Sequence, residues 1–138
     1  MTDTDTDSNT VAFIKRLVHI VHQKLPMQHN YTERNYQNAL GYYLHKRGKV
    51  ELEAEIPYTI VDGDKTVFIG VGRADIVFTK DYKGSIPHIL ELKVIKKHKY
   101  PLTSFCRQLK RYCHHFPGPC VGVLVIFSHY GPPRVIVP

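Results

Sequence analysis

At Gly48 the spacing of apolar residues along the chain changes, and that change restricts the fold more than any other feature. Before it, Val11, Ile14, Leu17, Val18, Val21 and Leu25 recur at the interval of one helix face, and Pro26 closes the segment. A second helix is predicted from near Thr32 to Arg47, with Tyr36, Leu40, Tyr43 and Leu44 inward and Gly48 as its stop. After Gly48 the period is two. Val50, Leu52, Ala54 and Ile56 alternate with Lys49, Glu51, Glu53 and Glu55, the pattern of a half-exposed strand with an acidic outer face.

Strand signals then continue. Asp62-Gly63-Asp64 marks a turn, so Lys65 to Val71 should return as a partner strand, and Arg73 to Thr79 reads as a third. A turn at Asp81 to Ser85 leads into His88 to Val94. Pro101 suits the first position of a helix whose stripe is Leu102, Phe105, Cys106, Leu109, Tyr112, Cys113 and Phe116, ended by Pro117-Gly118-Pro119. Val121 to Phe127 is a buried strand, and Arg134 to Val137 a short edge strand. Helices, a run of strands, a helix and a last strand pair define an α/β fold, a central mixed β-sheet flanked by helices, in a single domain over residues 10–138.

The first nine residues, with Asp3, Asp5 and Asp7, read as a disordered acidic leader without the basic start and apolar stretch of a secretory signal. No apolar run reaches the ~20 residues of a membrane span. The formal charge is +7; setting aside the leader's three acids leaves 19 basic against 9 acidic residues, or +10 for the body. Such a body favours a polyanion, most simply nucleic acid. Three cysteines, Cys106, Cys113 and Cys120, are too few and too far apart for a disulfide scaffold or a Cys-x-x-Cys metal site. They point to a reducing, intracellular compartment, cytoplasm or nucleus.

Two strands break the apolar rule. Asp75 lies within Gly72 to Phe78 and Glu91 within His88 to Val94, where an unpaired carboxylate is costly to bury. Alternation puts Glu91 and Lys93 on one face and turns Leu92 away. Two carboxylates offer hard oxygen ligands suited to Mg²⁺ or Mn²⁺, and an adjacent lysine can orient a water or stabilise developing charge. Gln108 and Tyr112 lie one turn apart on the third predicted helix, as Glu33 and Tyr36 nearly do on the second. Gln108 and Tyr112 would also suit the polar margin of an amphipathic helix, and Glu33 the start of one.

The ordered set of helical Glu33, Asp75, Glu91-x-Lys93 and Gln108-x-x-x-Tyr112 resembles the PD-(D/E)xK nuclease superfamily, from about residue 30 to residue 128. Its Gln-x-x-x-Tyr motif is similar to that of RecB-like nucleases. Asn30-Tyr31-Thr32-Glu33-Arg34-Asn35-Tyr36 looks like the Gly-x-x-Glu-x-x-Tyr signature of the GxxExxY proteins, with Asn30 in place of the opening Gly. Ala74 stands where the superfamily's Pro would be.

The resemblance implies a restriction-endonuclease-like core and a Mg²⁺- or Mn²⁺-dependent nuclease that hydrolyses phosphodiester bonds, DNA first, in repair, recombination or processing. It assigns Asp75, Glu91, Lys93, Glu33 and Gln108 to catalysis, and Asp75, Glu91, Glu33 and the Leu92 carbonyl to the metal. Arg73, Lys96, Lys97, Lys99, Arg107, Lys110, Arg111 and Tyr112 would form a wall for the nucleic-acid backbone. A homodimer is one source of specificity for so small a core. The alternative is a catalytically silent nucleic-acid-binding protein that keeps the fold.

Overall fold

The computed structural model describes residues 3–138, with side chains from Asn9 onward. Helix α1 runs Asp3–Lys24, a 3₁₀ turn spans Met27–His29, and α2 spans Glu33–His45. Strands β1 (Gly48–Asp62), β2 (Lys65–Lys80) and β3 (His88–Ile95) follow, then α3 (Leu102–His115), β4 (Val121–Ser128) and β5 (Arg134–Ile136). The backbone is helical from Asp3, where composition predicts a disordered leader and a helix start near Thr10. Acidic residues ahead of an apolar helical period are also a helix-start signal, because the helix dipole favours negative charge there.

Helix α2 begins where its capping chemistry dictates. Thr32 Oγ1 accepts from the Asn35 N–H at 3.2 Å, and Asn35 Oδ1 accepts from the Thr32 N–H at 2.9 Å. Asn30 turns the chain into that cap at φ 56°, a left-handed conformation that Asn tolerates.

The five strands form one mixed sheet in the order β1-β2-β3-β4-β5, with β3 and β4 parallel and the other neighbours antiparallel. Helix α3 makes the crossover between the parallel pair. Helices α1 and α2 cover one face, packing Ile14, Val18, Tyr36 and Leu40 against Ile76, Phe78, Leu92 and Phe127. The Tyr36 ring stacks on Phe127 at 4.4 Å, and its hydroxyl donates to the Leu25 carbonyl at 2.8 Å. On the other face α3 buries Leu109 and Tyr112 against Ala54, Ile56, Val77 and Ile126. The central part of the sheet is thus covered on both sides, the layered solution expected for this element order. Among the described residues no helix is long and apolar enough to cross a membrane.

The sequence pattern predicts separate strands Lys65 to Val71 and Arg73 to Thr79, but β2 is one strand of 16 residues. Gly72 is not a break. A Cβ there would collide with the Tyr58 hydroxyl and approach Tyr112 Cε1 at 2.7 Å, so this glycine lets two aromatic rings close onto the strand. The resulting β1–β2 hairpin is long, and its outer part extends beyond the helices.

Within that hairpin both strands reverse the face they present. Val50 packs with the α1–α2 core but Ala54 and Ile56 with the α3 core. Ile76 and Phe78 likewise pack with the first core and Ala74 with the second. Strict alternation would keep residues of equal parity on one face. The reversal falls at Glu53, which takes φ 50°, and at Asp75 on the neighbouring strand.

Candidate functional site

Beyond that reversal β2 and β3 part company. They pair only at Ile76↔Leu90, Val77↔Ile89 and Phe78↔His88. Continued, that register would set Asp75 opposite Glu91 and Ala74 opposite Leu92. The ladder opens into a fork instead, and side chains satisfy the backbone groups left over. Leu92 N–H donates to Asp75 Oδ2 at 2.7 Å, Asp75 N–H to Glu91 Oε1 at 3.4 Å, and Val94 N–H to Glu33 Oε1 at 3.2 Å. The N–H and C=O of one strand residue face the same edge, so the Leu92 carbonyl also faces the fork.

The acids at its apex strain against each other. Glu91 is 4% exposed, and its carboxyl is pushed up to about 8, first by burial and then by the neighbouring Asp75. Burial likewise raises Asp75, against the Leu92 N–H, the contact with Glu91 and the nearby Lys93, which all lower it. Glu91 therefore holds its proton more tightly than an ordinary glutamate. Lys93 Nζ stands 3.4 Å from Glu91 Oε2 and over the Phe105 ring at 5.0 Å, so α3 holds the ammonium against the acids.

Helix α3 closes the other side. Gln108 Nε2 donates to Tyr112 Oη at 2.9 Å. Burial, followed by the charge of Glu91, pushes the Tyr112 phenol up to about 12. Asp75, Glu91, Lys93, Gln108 and Tyr112 therefore meet at one place, built from β2, β3 and α3. Glu33 reaches it only at the margin, its carboxylate engaged by Val94 N–H. Among the described residues no group of three His, Cys, Asp or Glu side chains gathers to hold a metal.

Glu53, a residue with no predicted role in the site, borders it. Glu53 raises the Asp75 carboxyl by its charge and pairs with Arg34 of α2 at 2.8 Å. The sequence pattern makes Glu53 the middle of a solvated stripe between Glu51 and Glu55. Its left-handed backbone turns it toward Asp75, and no sequence signal announces that conformation.

The predicted basic wall divides. Lys96, Lys97 and Lys99 line a cleft of about 310 Å³ with Val94 and Tyr100, directly after the Glu91–Lys93 strand. Arg107 and Arg111 are exposed on α3. Arg73 is exposed and lies 3.6 Å from Glu55. Lys110 is placed elsewhere, in a cleft with Cys113, Cys120 and Gly122 on the β4 side of α3, because helical spacing turns it away from Gln108 and Tyr112. A wider cleft lined by His45, Lys46, Lys49, Lys80 and Lys83 lies at the far end of α2 from Glu33.

The fold and site thus define an α/β protein with a five-stranded mixed sheet flanked by helices and paired acids at a fork in that sheet. No family model matches the sequence, and no curated protein matches it. Among solved structures, the crystal structure of SSO0001 aligns with 90% of this chain at a TM-score of 0.53 and 22% identity. The chain spans 65% of the length of that protein. At such identity the likeness is one of fold.

Proposed function

We propose that this chain is a divalent-metal-dependent nuclease with a restriction-endonuclease-like core, hydrolysing phosphodiester bonds of DNA at the fork between β2 and β3. The observation that carries the reading is the meeting of Asp75 and Glu91 in that fork, with Lys93 beside them. A structural ion pair needs one acid for one base; here two carboxyls crowd together, burial raises both, and Asp75 raises Glu91 further. That donor set fits a hard dication. Asp75, Glu91 and the Leu92 carbonyl would hold Mg²⁺ or Mn²⁺, and cation charge would replace the proton on Glu91.

Such an ion supplies Lewis acidity toward a phosphoryl oxygen and makes a neighbouring water acidic. The chain's own groups do the rest. Lys93, pinned by Glu91 and Phe105, places positive charge where the phosphorane develops negative charge and orients the water. Gln108 fixes Tyr112 beneath the acids. Lys96, Lys97 and Lys99 hold the sugar-phosphate backbone beside the fork. Glu33 acts on the site through Val94, keeping the open edge of β3 in place.

A second reading, a nucleic-acid-binding protein that does not cut, draws on the absence of a third gathered acid among the described residues. Cleavage of single-stranded, duplex and branched DNA with Mg²⁺ or Mn²⁺ separates the two. Asp75→Asn and Glu91→Gln should each lower cutting on the order of 100-fold or more while binding survives. Wild-type protein that binds DNA and cuts none of these substrates with either metal would sink the enzyme reading.

A further inference from the structure

The loop between α3 and β4 brings together two of the three cysteines that sequence spacing sets apart. At one end of it Phe116 N–H donates to the Tyr112 carbonyl at 2.9 Å, and at the other Val121 N–H donates to the Pro87 carbonyl at 3.0 Å. Between them Pro117-Gly118-Pro119 turns the chain through Gly118 at φ 104°, a conformation that favours glycine. The turn returns Cys120 to the end of the helix, where its thiol donates to the Cys113 carbonyl at 3.8 Å. Gly122 makes the room, since a Cβ there would stand 2.9 Å from Cys113 Sγ. The two thiols are half-buried and line one cleft of about 360 Å³, with Lys110 and Val137 beside them. They also act on each other. Cys120 holds the Cys113 thiol below its ordinary range in spite of burial, while Cys113, with burial added, pushes the Cys120 thiol up. A thiol inclined to ionise, a protonated partner and a lysine in one open cleft make a reactive pair, where a structural cysteine would be sealed and inert.

We propose that Cys113 and Cys120 are a modification site, a dithiol that hydrogen peroxide closes into a reversible disulfide between the end of α3 and the start of β4. The Cys113 thiolate attacks one peroxide oxygen. An S–O bond forms, the O–O bond breaks, and the departing hydroxide takes up the proton lost by Cys113 and leaves as water. Cys120 then gives up its proton and attacks the sulfenic sulfur, so that the S–S bond forms, the S–O bond breaks and a second water leaves. The two thiols lose two electrons and the peroxide gains them. The loop has already brought the ends together, so little chain entropy opposes closure. The bond ties the last turn of α3 to β4, just after Tyr112, which Gln108 holds from one turn earlier. Cys106 lies two turns before Cys113 on the same helix and does not line the cleft, which makes it an internal control.

The site stands apart from the nuclease reading, because its test follows sulfur and not cleavage. The reduced full chain is treated with hydrogen peroxide, alkylated without reductant and digested with trypsin. Cys113 and Cys120 fall together in the tryptic peptide 112–134, and Cys106 falls in the peptide 100–107. The first should be recovered unalkylated and about 2 Da lighter, the second alkylated, and dithiothreitol should restore both thiols of the first. The folded chain should close the bond roughly tenfold faster than the chain unfolded in guanidinium at the same pH. C120S should leave a sulfenic acid that dimedone captures on Cys113, and C113S should give roughly tenfold less capture on Cys120. If C120S does not fold, the wild-type peptides and rates decide alone. Alkylation of all three thiols after peroxide overturns the proposal, as does a disulfide that involves Cys106 or joins two chains. Closure no faster in the folded chain than in the unfolded one overturns it equally.

Discussion

Replacing Glu91 by Gln should stabilise the metal-free protein above neutral pH and, on the proposed nuclease reading, abolish cutting. Folding raises the Glu91 carboxyl from 4.5 to about 8, so between those values the folded chain binds a proton that the unfolded chain has released. Stability then falls as pH rises, by about 1.4 kcal/mol per unit for one fully shifted group, and levels off above about pH 8. The full span is roughly 5 kcal/mol, an upper bound. Water entering an open fork reduces it, and a working figure is about 2–3 kcal/mol. For a chain of this size that is a Tm difference on the order of 10 °C.

Glutamine keeps the shape of the protonated acid and cannot ionise. Wild type and Glu91→Gln should thus melt together near pH 5 in EDTA and diverge toward pH 8, with the variant higher. Comparing the two removes the titration of groups remote from Glu91 and leaves that of Glu91 with its neighbour Asp75. Adding Mn²⁺ should raise the wild-type Tm at pH 8 and leave the variant nearly unmoved, because only a species that binds the folded state shifts the equilibrium. Parallel melting curves across this range would refute the argument, since they would mean that burial and Asp75 impose no cost on the Glu91 charge.

Gly72→Ala should lower stability by about 1–3 kcal/mol and reduce cutting, because the new methyl displaces the Tyr58 and Tyr112 rings; urea denaturation and a cleavage assay read both effects. Glu53→Gly should be more stable than Glu53→Ala by about 1 kcal/mol in the same denaturation assay, since only glycine adopts φ 50° without strain. If the two variants unfold alike, the left-handed residue carries no strain. Tyr36→Phe should cost about 1 kcal/mol in thermal melts by leaving the half-buried Leu25 carbonyl without its hydroxyl donor.

The helices and the sheet were legible because their apolar spacing is regular. The three acid-and-lysine positions stood out because a carboxylate inside a strand violates that regularity. The Gln108–Tyr112 pair followed from helical spacing, and the structure joins the two by a hydrogen bond. What the sequence concealed depends on neighbours distant along the chain. Gly72 carries the mark of a strand end, and only Tyr58 and Tyr112 closing over it make it a packing position. Glu53 has the alternation of its neighbours, and its reversal of face arises from pairing with a strand about twenty residues on. Lys110 shares the charge of Arg107 and Arg111, but helix geometry sends it to another cleft.

One local event links the site to the outer part of the β1–β2 hairpin. When the hairpin reverses its faces at Glu53 and Asp75, β2 can no longer continue its ladder with β3. On the β3 side the released N–H groups recruit Asp75 and Glu33, which brings a carboxylate to the place where Glu91 stands. On the β1–β2 side the hairpin runs outward without a third strand, which exposes its apolar faces and its edges. A strand that kept its register would pair the backbone and leave no N–H on β3 free to take the Asp75 carboxylate. The irregularity therefore sets both the fork and the exposed hairpin, and Glu53 at φ 50° is where the chain maintains it.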